Sequence, residues 1–360
     1  MTKTLDQDLS LKLRFRRLLF CQGYWTPIEV ELSYYEEEGT ALKRRSLTDL
    51  DVLGIRYSGL LLPHKIIGDC KSGKNVSDVS RMFWIRGVVD YFGANQGYYL
   101  RPKIDSHARG LAPRLGISAM DEDELTATEI ALNVNTLALP LADIQVQEAI
   151  NDLWGVDIAK GHKPNEDELK LKRAYSFLTY GYWYIEAFRS LLMLIQRFTT
   201  IARLLDPASP KHVLLAFTGA ERMGLSLLDI AAHVRAQGGD AVKLARTYIY
   251  GGALGLRDKE KFFELLRRVA PQAPDLDPPF LPDILEVLGR LLRNPSGASD
   301  VLRHLMAAYL WCAHLGNKSL PSLPGGDGNT AALVLAKDIA IAFSRATGCS
   351  PKLFDSLQSL

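Results

Sequence analysis

The stretch TDLDVLGIRYSGLLLPHKIIGDCKSGK (48–74) constrains the fold of this chain more than any other. Two short apolar runs, VLGI and KIIG, flank the turn-like SGLLLP, the pattern of two strands paired as a hairpin. Both runs touch acids: Asp49 and Asp51 lead into the first, Asp69 closes the second, and Lys71 follows two positions on. Alternate side chains of a strand share a face. Asp69 and Lys71 therefore point the same way, Cys70 points to the other face and the core, and Asp49 and Asp51 share a face.

Carboxylates brought side by side repel unless a cation lies between them. Their oxygens suit Mg²⁺ or Mn²⁺. A lysine beside them can hold or deprotonate a metal-bound water, or neutralise charge on a phosphoryl group, so the parts match phosphodiester hydrolysis. A D/E-x-K triplet alone is weak, and the chain carries a decoy in Glu168-Leu169-Lys170, read as the solvated face of a helix start.

Around the hairpin, residues 1–130 mix strand and helix patterns. GYWTPIEVELSYYEEEG (23–39) reads as a helix ending near Gly39, with Pro27 in its first turn. A helix is expected over 77–92, with Val79, Met82, Phe83, Ile85, Val88 and Val89 on one face. GYYLRPKI reads as a strand, and SHARGLAPRLGIS as a short helix delivering a last strand over 116–119. Helix, strands, helix, strand, helix, strand make an α/β sandwich around one mixed sheet. Acidic DEDEL from Asp121 and polar GVDIAKGHKPNEDE mark a boundary region, with a connecting region over 131–168. From 169 to 360 the pattern is helical, punctuated by Pro and Gly, with one long helix over 169–205 whose aromatics (Tyr175 to Phe188) read as core or interface.

Bulk properties narrow the class. A formal charge of +2, from 43 basic and 41 acidic residues, is not the footprint of a protein that holds nucleic acid by overall charge. The four scattered cysteines make no CxxC pair or zinc spacing, which fits a reducing cytoplasm. The N-terminus has no apolar signal core, and SLLMLIQRF is too short to span a bilayer. No GxxxxGK[ST] loop is present. Arg81 and Arg86 are read as solvated helix positions, and Trp311, Cys312 and His314 as core.

Asp51 followed by VLGI, then IIGDCKSGK, resembles the active-site signature of the PD-(D/E)xK nuclease superfamily, and SHARGLAPRLGIS resembles that family's late helix. The resemblance spans residues 10–130 and implies a restriction-endonuclease-like α/β sandwich, here followed by an all-α helical domain. It implies metal ligation by Asp51, Asp69 and the Cys70 backbone carbonyl, and a catalytic Lys71, with Mg²⁺ or Mn²⁺ as cofactor and DNA as substrate. Asp49 stands where relatives often carry a further acid; Asp51 is preferred because it directly precedes the apolar run. Glu29 and Glu31 are alternatives for an acid of the first helix, on different faces, with Glu29 preferred. The chain departs from the pattern in lacking a Pro before the first Asp. A cytoplasmic prokaryotic endonuclease follows by analogy, with a defence role against foreign DNA, a homodimer for cutting both strands, and a helical domain that selects substrate or a protein partner. The alternative is a decayed nuclease fold serving as a non-catalytic scaffold with a protein-binding helical half.

Overall fold

A computed structural model describes residues 2–38, 41–73, 77–154, 164–185, 187–270, 272, 275–324 and 330–360. The chain divides into two compact units. The first takes in Met1–Tyr57, Pro63–Gly155 and Ser319–Gly328; the second takes in Ser58–Leu62, Val156–Lys318 and Asn329–Leu360.

The first unit begins with helix α1 (Thr2–Cys21), followed by strands β1 (Ile28–Glu38), β2 (Ala41–Tyr57) and β3 (Pro63–Cys70). Helix α2 (Asp78–Phe92), β4 (Gln96–Arg101), α3 (Ser106–Leu111), β5 (Ile117–Asp121), α4 (Glu122–Ala131) and α5 (Ile144–Trp154) complete it. One five-stranded sheet runs β1-β2-β3-β4-β5. The first three strands form an antiparallel meander, and β3, β4 and β5 are parallel. Each parallel step needs a crossover connection, which α2 and α3 supply.

The expected helix over 23–39 is instead the edge strand β1. Its core, Glu29-Val30-Glu31-Leu32, alternates polar and apolar, and only Val30 and Leu32 of the four are buried. Period two is the strand signal, so it outweighs the run of glutamates that suggests helix. The first helix lies upstream: in α1 the buried Leu11, Phe15, Leu18 and Leu19 recur at helical spacing.

Sheet parity places helices on both faces. Gly68 faces Val52 on β2 and pairs with Tyr98 on β4. A Cβ on Gly68 would lie 2.5 Å from Phe15 of α1, and the Phe15 and Tyr98 rings are 5.1 Å apart. The neighbouring residue pair, Ile67 and Gly97, is on the opposite face. There a Cβ on Gly97 would meet Ile85 and Val89 of α2. The core under α1 joins Leu11, Phe15, Leu18 and Leu19 to Val52, Ile66, Cys70 and Leu100. On α2, Met82, Ile85, Val88 and Val89 are buried as the periodicity predicts, whereas Val79 and Phe83 are exposed.

The second unit is helical: α6 (Glu166–Ser176), α7 (Tyr182–Tyr184), α8 (Ala187–Ile201), α9 (Pro210–Gln237), α10 (Ala241–Ile249), α11 (Gly252–Val269), α12 (Leu281–Arg293), α13 (Pro295–Ala307), α14 (Thr330–Thr347) and α15 (Asp355–Gln358). The single helix expected over 169–205 is broken where Ile185 turns extended. Of the aromatic band, Phe177 and Tyr182 are buried, and the Tyr182 hydroxyl bonds with Ser226 at 2.9 Å. Glu168 caps α6 and Lys170 pairs with Glu166 and Asp167 at the surface, so the decoy triplet is a helix start. Among the described residues no helix is long and apolar enough to cross a membrane.

Candidate active site

The site forms where β2 and β3 part. Their ladder ends at Val52 opposite Gly68, and the next step of that register sets Asp51 opposite Asp69. In place of the next ladder bond, Asp51 Oδ2 accepts the Cys70 backbone N–H at 2.7 Å. Beyond this point β2 continues only with β1, and β3 only with β4. The two acids are thus held at a fork in the sheet, 2% and 3% exposed.

Buried carboxylates need counter-ions, and three side chains provide them. Lys71 Nζ donates to Asp51 Oδ2 at 2.9 Å and lies 3.4 Å from Asp69 Oδ1, bridging both acids. Lys12, from α1, is 2.9 Å from Asp51 Oδ1 and 3.3 Å from Glu29. The Lys12 ammonium is thus the counter-ion of Oδ1, while Lys71 and the Cys70 N–H hold Oδ2. Arg81, from the first turns of α2, forks onto Asp69: Nε donates to Oδ2 at 2.9 Å and Nη2 donates to Oδ1.

The surroundings fix these groups. Ser77 caps α2 through the Ser80 N–H. Asp78 is buried and accepts from the Tyr99 hydroxyl at 2.8 Å, the Asp105 N–H at 2.8 Å and Arg101. Arg101 also donates to the Gly73 carbonyl at 2.7 Å. This lock ties the start of α2, and with it Arg81, to the end of β4 and the segment after Lys71. On the other side Asp8 of α1 accepts the Ser72 N–H.

The two acids differ electrostatically. Burial alone would push Asp51 up, but Lys12 and Lys71 outweigh it and hold the carboxyl below its usual range. Asp69 is pushed up by burial and by the Asp51 charge, against the opposing pull of Arg81 and Lys71. Burial would lower Lys71, yet Asp51 and Asp69 win and raise it. Raised in this way, Lys71 carries its positive charge beside both acids. Burial raises the Cys70 thiol well above the ordinary value.

The structure brings together Asp51, Asp69, Lys71 and the Cys70 backbone. Asp49 is exposed on the same strand. Glu29 is a half-exposed residue of the edge strand, tied to the acids only through Lys12, and it is not on a helix. Glu31 pairs with Arg44 at 2.6 Å and not with the site. Arg81, expected in solvent, is a member of the site; Arg86 pairs with Asp90. Asp8 and Lys12 were the residues missed, although Asp8, Lys12 and Phe15 follow helical spacing toward one side of α1. Among the described residues no group of three or more His, Cys, Asp or Glu is arranged to hold a metal ion.

Three comparisons bear on kinship. No family model, curated protein or solved structure matches the chain. Function therefore rests on the site itself.

Proposed function

We propose that the chain is a metal-dependent nuclease that hydrolyses phosphodiester bonds of DNA. One observation carries this reading. Two buried carboxylates stand opposite each other at a fork in the sheet and are close enough for a single ammonium, that of Lys71, to touch both. Support comes also from the order of elements, a helix, an antiparallel meander, a crossover helix and a parallel strand, which is the order the PD-(D/E)xK resemblance implies.

The residues present fit a divalent cation. Asp51 Oδ1 is buried against the Lys12 ammonium, which has Glu29 as its other partner, Asp69 stands opposite Asp51 and Cys70 follows it; Asp51, Asp69 and the Cys70 carbonyl would hold the ion once Lys12 yields Oδ1. Bound there, the ion supplies Lewis-acid stabilisation of charge on a phosphoryl oxygen. Lys71 adds a fixed positive charge beside it, which needs no reorganisation as negative charge develops. Asp51 positions Lys71 through their 2.9 Å bond. The Cys70 N–H holds Asp51 in turn.

A second reading draws on the three cations already present. Lys12, Lys71 and Arg81 neutralise two acids without any added ion, as a non-catalytic scaffold would require. Cleavage of supercoiled plasmid and of labelled single-stranded DNA with Mg²⁺, Mn²⁺ or EDTA, comparing wild type with Lys71→Ala, separates the two. Metal-dependent cutting lost in the variant is expected. Equal cutting by Lys71→Ala refutes the nuclease reading, and no cutting by the wild type favours the scaffold.

A further inference from the structure

Among the three counter-ions, Arg81 is the one that takes both oxygens of a residue proposed to bind metal. Its guanidinium takes both oxygens of Asp69, and the same group stacks 3.6 Å from the centre of the Trp84 ring. Its side chain is 22% exposed, so it reaches solvent as well as Asp69. A metal ion at Asp69 and a forked arginine at Asp69 use the same lone pairs, so the two compete. Lys71 takes one oxygen of each acid, at 2.9 and 3.4 Å, and Lys12 takes Asp51 Oδ1 with Glu29 3.3 Å away as its other partner. Displaced from Asp69, the Arg81 guanidinium can stay on the Trp84 face while its freed donors, a planar set, suit a phosphate. The Asp78 lock holds the start of α2 in place, so only the side chain needs to move.

We propose that Arg81 is an exchangeable counter-ion: it neutralises Asp69 in the cation-free protein, yields that carboxylate to a divalent ion, and then holds a phosphate of the nucleic acid. This rests on the nuclease reading. It makes the site electrostatically complete without an added ion and couples metal entry to substrate capture. Arg81 is a positioning residue in the first state and a substrate-binding residue in the second.

The test has two readouts that need no turnover. Calorimetric titration with Mn²⁺ alone compares wild type, Arg81→Met and Arg81→Lys. Removing the competing guanidinium, with its two contacts to Asp69, is expected to tighten Mn²⁺ binding about tenfold or more in Arg81→Met. Arg81→Lys, which keeps the charge and loses the fork, falls between them. Fluorescence anisotropy of a labelled duplex in Ca²⁺ then reads the second state, and Arg81→Met is expected to bind about tenfold more weakly. Equal, measurable Mn²⁺ affinity in wild type and Arg81→Met overturns the exchange and leaves the nuclease reading standing. Unchanged duplex affinity overturns the phosphate role. Absence of Mn²⁺ binding in every protein, with folding intact by circular dichroism, overturns the nuclease reading and this inference with it.

Discussion

Asp51 Oδ2 accepts the Cys70 backbone N–H at 2.7 Å and so closes the sheet at the point where the β2–β3 ladder has stopped. A carboxylate here does the work of a main-chain carbonyl and gathers two lysines besides. The same side chain is therefore part of the fold and part of the site.

That dual role makes the two acids unequal in stability. Asp51→Asn keeps the shape but leaves Lys12 and Lys71 beside a neutral group, and is expected to destabilise by about 2–4 kcal/mol. Asp69→Asn removes the carboxylate that burial and its neighbour push up, and is expected to cost less at pH 7. The sign follows from linkage. A depressed folded pKa at Asp51 contributes stability that is fully present above the unfolded value, about 3.9, and is lost as pH falls through the folded one. The gap between the two variants should close in acid. Urea denaturation of both at pH 7 and near pH 3 checks this, and a gap that widens in acid refutes the assignment.

Lys12 and Asp51 should be energetically coupled. Burial lowers the pKa of Lys12, but Asp51 and Glu29 outweigh it and raise it. A raised lysine contributes stability that is fully present below its unfolded value, about 10.4, and is lost as pH climbs through the folded one. A double-mutant cycle on Lys12→Met and Asp51→Asn is expected to give an interaction of about 1–3 kcal/mol, constant from pH 6 to pH 9. An interaction near zero would show that the 2.9 Å contact carries no net energy.

The hairpin and the meeting of Asp51, Asp69 and Lys71 were legible because strand alternation and burial agree there. Asp51 is buried and Asp49 exposed, although no period-two rule separates two acids two positions apart; what separates them is where the ladder with β3 ends. In β1 the alternation of Val30 and Leu32 decides for a strand, against the helix that Pro27 and Gly39 would bound. Arg81 could not be assigned from its own segment, since an arginine on the first turns of an amphipathic helix is solvated unless a distant carboxylate lies in reach. Asp8 and Lys12 share that difficulty: their partners, Ser72 and Asp51, are 64 and 39 positions away. Periodicity reports which face of an element is covered, and not which residue of another element covers it.

Placing α1 upstream of β1 changes which acid belongs to the first helix. Asp8 contacts the segment directly after Lys71 through the Ser72 N–H, whereas Glu29 reaches the site only through Lys12. If the nuclease reading holds, Asp8→Asn should lower the cleavage rate by about tenfold or more, because misplacing a catalytic group by a fraction of an ångström carries penalties of that order. Glu29→Gln should stay within about threefold, the scale of a half-exposed ion pair. Single-turnover rates of both variants decide it, and the reverse order would return the first-helix role to Glu29.

Gly68 connects helix packing to the acids. It directly precedes Asp69, and a Cβ there would lie 2.5 Å from Cε1 of Phe15. Phe15 is fully buried and stands one turn after Lys12 on α1, so the ring cannot retreat without moving the helix that carries the lysine. Gly68→Ala is expected to destabilise by about 1–3 kcal/mol, the usual penalty of overpacking a full core. It should also loosen the pairing of Lys12 with Asp51, so the interaction measured for that pair should shrink in the Gly68→Ala background. Phe15→Leu, which frees the space of the ring edge, should recover part of the lost stability in combination while being destabilising alone. Additive effects of Gly68→Ala and Phe15→Leu would mean that the methyl is accommodated elsewhere. The close approach of α1 to β3 would then not be what sets Lys12 against the acids.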